Sequence, residues 1–297
     1  MKKRQNKKYK WGIVFIFLLI VCVSVLMIFH FKSREKQPTN EQTRNVQHTD
    51  LEEGYIISSS SKKAAKSLEH IVESTGEAQT VKLNSRKNDE KFTDLSSNSF
   101  KIYKANNVEV LKTATSIDAP AFSLEDMIQK YPDALIMNAS GFNMNNMHIT
   151  GFQMNNGKLF KDWGSDKRAN NAFVINEDGS SQIYDSTVPA STIIENGGKI
   201  SFSFGSVLIR EGKVQKNDGS VNWMIHSFIA NDEENNLYLI ISDTSTGYEP
   251  IMSKFKELNL KNVVVMDGGG SSQMAYKGKV IYPSQDQRSV NDFIILK

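Results

Sequence analysis

The sequence predicts an α+β domain, a mixed, strand-rich sheet core with a few covering helices, preceded by one N-terminal transmembrane helix. Three observations predict it. Residues 11–31 (WGIVFIFLLIVCVSVLMIFHF) contain no Asp, Glu, Lys or Arg and follow the basic stretch MKKRQNKKYK. From about residue 80, short β-branched and aromatic runs alternate with turn residues. Two helix-like segments, 123–130 and 249–258, each lead straight into an apolar strand. At 297 residues, 39% apolar and 23% charged, the chain is neither wholly disordered nor a polytopic membrane protein.

The elements follow in order. Residues 1–10 carry six Lys or Arg and no acid, and read as a cytoplasmic tail. Residues 11–31 read as a single-pass anchor, since about 20 apolar residues cross a bilayer core of roughly 30 Å. A cleaved signal peptide is the alternative, but its apolar region is normally about 7–15 residues long and ends at small residues. The run ends instead in Met27-Ile28-Phe29-His30-Phe31. The anchor reading puts the protein in the cell membrane, with residues 32–297 outside. Cys22 is the lone cysteine and lies inside this run, which excludes a disulfide framework, a CxxC zinc site and a thiol enzyme. The net charge is +3 and the leader holds six positive charges, so the remainder is about −3. Nothing there suggests a nucleic-acid-binding surface.

Residues 32–79 read as a stalk, polar at first, with a short helix at 62–72 (KKAAKSLEHIV) in which His70 is an exposed helix residue. Residues 80–297 form the domain. Its strands are expected at 99–103, 108–111, 134–137, 172–175, 206–209, 237–241, 263–266 and 292–296. Asn155-Asn156-Gly157, Glu177-Asp178-Gly179, Asn196-Gly197-Gly198, Glu211-Gly212 and Asp218-Gly219 supply turns. The helix at 123–130 opens on a Ser N-cap with two acids in its first turn and stops before Tyr131-Pro132. The helix at 249–258 has Pro250 early and Ile251, Phe255 and Leu258 on one face.

Two strand ends carry the chemistry. After the apolar strand 263–266 comes Asp267-Gly268-Gly269-Gly270-Ser271-Ser272. Three glycines between packed strands imply unusual backbone or close approach to a ligand. Their consecutive N–H groups and the two hydroxyls suit an anion, and Asp267 suits an acid/base, a metal ligand or an acceptor from sugar hydroxyls. A tight turn capped by its own Asp267 is the bland reading. After strand 134–137 comes Asn138-Ala139-Ser140-Gly141-Phe142-Asn143, amides beside an aromatic ring, which fits a sugar, although Asn-rich loops are more often ordinary turns.

These segments resemble the phosphodiester glycosidase family. Asn138, Gly141 and Phe142 resemble its Asn-Gly-Gly-Phe-Phe segment, and Gly151 with Asn156-Gly157 its following glycine and turn. Phe204-Gly205-Ser206-Val207-Leu208-Ile209 with Gly212 resembles its middle strand pair. Residues 267–272 are similar to its Asp-Gly-Gly-Gly-Ser-Ser signature, and Arg288 looks like its late Arg-x-Val element. The order and spacing agree over about 200 residues. There is one departure. Where the family has Pro-Arg-Thr, this chain reads Met224-Ile225-His226-Ser227-Phe228, so Ser227 stands for the Thr hydroxyl and His226 replaces the Arg.

The resemblance implies a hydrolase that cleaves the bond between an anomeric carbon and a phosphodiester in a cell-envelope glycopolymer, with N-acetylglucosamine among the candidate sugars. Asp267, His226, Asp243 and Glu249 are its expected catalytic residues. Asn138, Gly141, Phe142, Ser227, Gly268, Gly269, Gly270, Ser271, Ser272 and Arg288 are its expected substrate contacts. Arg168 is read as surface, and His148 has no partner pattern. No cofactor is expected. There is no HExxH motif or dense His/Asp cluster, which leaves a divalent metal unsupported but open. Two rivals stand beside this reading: a non-catalytic envelope-polymer binding or assembly protein, and a metal-dependent phosphodiesterase that cuts the P–O bond. The oligomeric state is not legible.

Overall fold

The protein is described from a computed structural model covering residues 81–82, 91–222 and 224–297. The basic tail, the anchor, the stalk and the helix expected at 62–72 lie outside the described residues. Among those residues, no helix is long and apolar enough to cross a membrane.

The described chain runs through β1 (Val81–Lys82), β2 (Phe92–Asp94), β3 (Phe100–Ala105), β4 (Glu109–Lys112), helix α1 (Leu124–Lys130) and β5 (Leu135–Asn138). Next come β6 (Gln153–Asn155), β7 (Lys158–Lys161), β8 (Asn171–Asn176), β9 (Ser181–Asp185), α2 (Ala190–Glu195) and β10 (Gly198–Phe204). Then follow β11 (Val207–Arg210), β12 (Lys213–Val214), β13 (His226–Asp232), β14 (Leu237–Ser242), α3 (Tyr248–Glu257) and β15 (Leu260–Met266). The last are β16 (Met274–Tyr276), β17 (Lys279–Tyr282) and β18 (Phe293–Leu296).

Two large sheets dominate. One has the order β1-β4-β18-β5-β16-β17 and the other β12-β11-β15-β13-β14-β3-β2. A three-stranded sheet, β10-β8-β9, and the hairpin β6-β7 complete the set. Every pairing among the described strands is antiparallel, so the expectation of a mixed sheet is corrected. The error has a physical source. Unbroken apolar strands mean only that both faces are covered, and helices cover antiparallel sheets as well as parallel ones.

Side-chain alternation shows this covering directly. On β15, Val264 and Met266 point into the layer between the two large sheets, where they meet Leu135 and Ile294 of the opposite sheet. Val263 and Val265 point the other way, onto Ile251 and Phe255 of α3. Leu124 and Met127 of α1 do the same for Ile136 and Phe293 on the outer face of the six-stranded sheet. Each fully buried side chain of this size contributes about 1.5–3 kcal/mol relative to exposure. The Ser123 cap of α1 is a full capping box with Asp126. The two-residue hairpin of Asn156 (φ 54°) and Gly157 (φ 72°) joins β6 to β7.

One polar feature sits inside the apolar layers. Lys112 and Asp292 form a buried ion pair with both side chains fully covered. Lys112 also donates to Ser140 Oγ at 3.2 Å, and Asp292 accepts the backbone N–H of Ala114 at 3.2 Å and of Ser140 at 3.4 Å. Burial pushes the Lys112 ammonium below its ordinary value, against the opposing pull of Asp292. Through Ser140 this pair holds the segment leaving β5.

Candidate active site

The ends of β5 and β15, one from each large sheet, meet at one end of the molecule. Asp267 N–H donates to Ala139 O at 3.0 Å, and Asn138 Nδ2 donates to Asp267 O at 2.6 Å. Asn138 Oδ1 accepts from Gln273 N at 3.0 Å and from Ser227 Oγ at 3.1 Å. Ser227 Oγ lies 2.9 Å from Ser272 Oγ. Asn138, Ser227 and Ser272 are all buried. They therefore clasp three chain segments together beside Asp267, with their side chains buried in hydrogen bonds to one another.

The glycine run is a packed 3₁₀ turn, Gly269–Ser271. Gly269 takes φ +59°, a conformation that disfavours a side chain. A Cβ on Gly268 would stand 2.8 Å from the carbonyl oxygen of Ile225, so only glycine lets the turn sit against β13. Gly269 N–H donates to that same Ile225 O at 2.8 Å, Ser271 N–H to Gly268 O at 3.2 Å and Ser272 N–H to Gly269 O at 3.1 Å. The N–H groups of Gly269, Ser271 and Ser272 are thus spent within the fold, while the Gly268 N–H acts on the Asp267 carboxyl. Tight packing accounts for glycine at 268 and 269.

Asp267, Gly268 and Gly269 border a cleft of about 740 Å³. Arg168, Phe204, Arg210, Asp218, Met224 and His226 line it as well. Asp267 is partly buried. Desolvation pushes its carboxyl up to about 6, against the lowering effects of the Ser271 hydroxyl, the Arg288 charge, the Gly268 N–H and the Arg168 charge. Asp218 behaves oppositely. Burial works to raise it, but hydrogen bonds from Ser206 and Ser220 outweigh that and hold it below its usual value. Ser206 Oγ donates to Asp218 Oδ2 at 2.5 Å, and Ser220 N donates to Oδ1 at 3.0 Å. Asp267 is thus the carboxyl of this cleft that is raised toward the working range of an acid/base group, while Asp218 is exposed, held in its own turn and ionised.

His226 opens β13 and is buried, with Nε2 beside the backbone of Asn222 (3.3 Å to N, 3.2 Å to O). Burial lowers its pKa. Its ring thus lies at the cleft wall, with burial favouring the uncharged form.

The family model described as phosphodiester glycosidase matches residues 133–297, more than half of the chain. This chain belongs to the phosphodiester glycosidase family. The SPbeta prophage-derived uncharacterized protein YomE of Bacillus subtilis is 28% identical over 187 residues, covering 57% of this chain and 29% of that relative. The chain thus spans less than a third of that relative's length. Among solved structures, the fold is similar to the zebrafish N-acetylglucosamine-1-phosphodiester alpha-N-acetylglucosaminidase catalytic domain auto-inhibited by its pro-peptide. That match has a TM-score of 0.57 at 18% identity and covers 73% of this chain and 86% of the other. A hypothetical protein from Synechocystis matches with a TM-score of 0.50 at 13% identity, covering 73% and 64% of the two chains.

Within this phosphodiester glycosidase domain, several expected site residues fall elsewhere. Asp243 does not border the cleft. Its carboxylate accepts from Ser245 N at 2.9 Å, from the Ser245 hydroxyl and from Thr246 Oγ1 at 3.0 Å, which makes it a turn-former at the end of β14. Glu249 is exposed on the first turn of α3, the helix that covers the outer face of the seven-stranded sheet, and it does not border the cleft. Phe142 is buried with Leu124 and Phe293 under α1, so it is core and not a sugar platform. Gly141 is buried because a Cβ there would overlap the Phe204 ring. Gly270 is packed against Asp286, whose Oδ2 would lie 2.5 Å from a Cβ. Ser271 is buried, with its hydroxyl acting on Asp267. Arg288 pairs with Asp286 at 2.6 Å while its charge still reaches Asp267.

The cleft also contains residues to which the sequence assigned no role in the site. Arg168 was read as surface, and it is paired with Asp166 at 3.0 Å, but it borders the cleft and acts on Asp267. Asp218 was read only as part of an Asp-Gly turn. Phe204 supplies the aromatic wall that Phe142 does not. Among the described residues, no three His, Cys, Asp or Glu side chains gather as a metal site.

Proposed function

We propose that the cleft hydrolyses sugar-1-phosphodiesters, and that Asp267 is its central catalytic residue. The observation that carries this is the partly buried Asp267, raised to about 6, in one cleft with the ionised Asp218 and the Arg168 cation. Asp267 in its ionised form takes a proton from water as the water oxygen bonds to the anomeric carbon. The bond from that carbon to the phosphate oxygen breaks, and its electron pair leaves with the phosphomonoester. A phosphate needs little acid assistance to depart, so charge stabilisation matters more. Arg168 faces the departing phosphate in the place of the family's arginine, and Asp218 faces the positive charge that develops on the sugar. Phe204 offers a ring face to the sugar.

Export and anchoring rest on the sequence, on the basic leader and the 21-residue apolar run. In that setting the substrates are glycopolymers of the cell envelope, with N-acetylglucosamine among the sugars. The test is product analysis. The full chain is incubated with UDP-N-acetylglucosamine and with envelope polymer. Free reducing sugar with a phosphomonoester supports the reading, sugar 1-phosphate points to P–O cleavage, and retention on polymer without turnover points to a binding protein.

A further inference from the structure

A second cavity, of about 810 Å³, lies at the other end of the six-stranded sheet. Pairing fixes its place. At the candidate active site, β5 ends with Asn138 opposite Phe293 and with Met137 opposite Met274. At the far end of the same strands, Leu135 lies opposite Tyr276 and Leu296. Leu135 and Asn138 are three residues apart, or about 10 Å of strand. Ala134, Tyr276 and Lys277 border the cavity at that far end.

Its chemistry is basic and aromatic. Lys91, Lys130 and Lys277 line it, all exposed, and none of them forms an ion pair among the described residues. A fourth lysine, Lys297, is held by Glu109 at 3.6 Å. The Asp133 carboxylate and the carboxylate of Lys297 itself border the cavity beside them. Phe92 and Tyr276 pack edge to face at 5.2 Å and Tyr131 joins the wall. Lys277 Nζ stands 5.2 Å from the Tyr276 ring centre, and Lys130 Nζ 5.4 Å from that of Tyr131.

Lys277 stands out. It takes φ +48° in the two-residue turn Lys277-Gly278 that joins β16 to β17. Asn or Asp is the usual residue there, and the left-handed region costs other residues roughly 1 kcal/mol. Lys277 thus stands over an aromatic ring, beside two other lysines that form no ion pair among the described residues.

We infer that this cavity is a second binding site, for a phosphate-bearing glycan, with Lys91, Lys130 and Lys277 holding the phosphates and Tyr276 and Tyr131 facing the sugar rings. The choice of a glycan rests on the proposed hydrolase reading. The basic, aromatic site itself does not.

The experiment measures binding of the full chain to immobilised yeast phosphomannan, to unphosphorylated mannan and to phosphatidylglycerol vesicles. The wild type, the Lys130→Glu/Lys277→Glu variant and the milder Lys130→Gln/Lys277→Gln variant are compared, each also carrying Asp267→Asn so that nothing is hydrolysed. Wild-type lysines should give phosphomannan binding that weakens with salt. Charge reversal should reduce it by roughly tenfold or more, and the Gln pair by less. The melting temperature should not move, and with Asp267 intact the charge-reversal variant should turn over UDP-N-acetylglucosamine like wild type. Equal phosphomannan binding by all variants, equal binding of mannan, or a loss confined to vesicles overturns the inference. If the wild type releases no sugar at all, the hydrolase reading fails, while the phosphomannan comparison still decides this site.

Discussion

Asp267 concentrates the account at the scale of single residues. Its folded pKa is raised from 3.8 to about 6, so the folded state binds a proton more tightly than the unfolded chain between those values. Stability from this group is therefore highest below about pH 4 and declines as pH rises to about 6. Roughly two pKa units correspond to at most about 3 kcal/mol. Asp267→Asn is expected to raise the melting temperature at pH 7.5 and to lose that advantage near pH 4, as thermal unfolding across pH checks. As a base, Asp267 must be ionised, so kcat/KM should fall as pH drops below about 6. Gly141 gives a prediction of another kind. A Cβ there overlaps Phe204, so Gly141→Ala should cost about 1–3 kcal/mol in denaturant unfolding and displace the aromatic wall of the cleft.

At the scale of elements, α3 is held by what it covers. Phe255 is fully buried and meets Phe228 edge to face, with ring centres 5.1 Å apart. Phe255→Ala should destabilise the domain by about 3–5 kcal/mol, read from urea unfolding. The Lys112–Asp292 pair predicts a comparable loss. Lys112→Met leaves a buried carboxylate without its cation, at about 3–5 kcal/mol. Elements with a strong pattern were legible in the sequence. The helices at 123–130 and 249–258 and the eight runs of apolar or β-branched residues are all present, because alternation and caps are local signals. Other elements were not legible. Helix α2 follows Pro189 with no side-chain cap, and β10, which reads GKISFSF, alternates serines that are themselves buried. Ser201 and Ser203 sit inside because they hydrogen-bond to Met154 N (2.7 Å) and Asn171 O (2.6 Å), partners distant in sequence. The ion pair was hidden for the same reason, with 180 residues between its members.

For the whole molecule, the arrangement is two large antiparallel sheets whose facing side chains form one core, with α1 and α3 on the outer faces. Strand ends from both sheets converge at one end, so residues 138–142 and 267–272 meet despite their separation in sequence. That convergence was legible from the two motifs. What each residue does there was less so. Motif position marked Asn138, Ser227 and Phe142 as contacts, but burial makes the first two a clasp and the third a core ring. Arg168 lies in a short 3₁₀ turn and Asp218 in an Asp-Gly turn, local features that carry no sign of a site, and only the fold brings them to the cleft.

The most direct measurement is hydrolysis of UDP-N-acetylglucosamine by the full chain, with released sugar identified chemically. The account predicts free N-acetylglucosamine, and a loss of roughly 100-fold or more in Asp267→Asn with the fold intact. Sugar 1-phosphate as the product, or equal release by the folded variant, would contradict it.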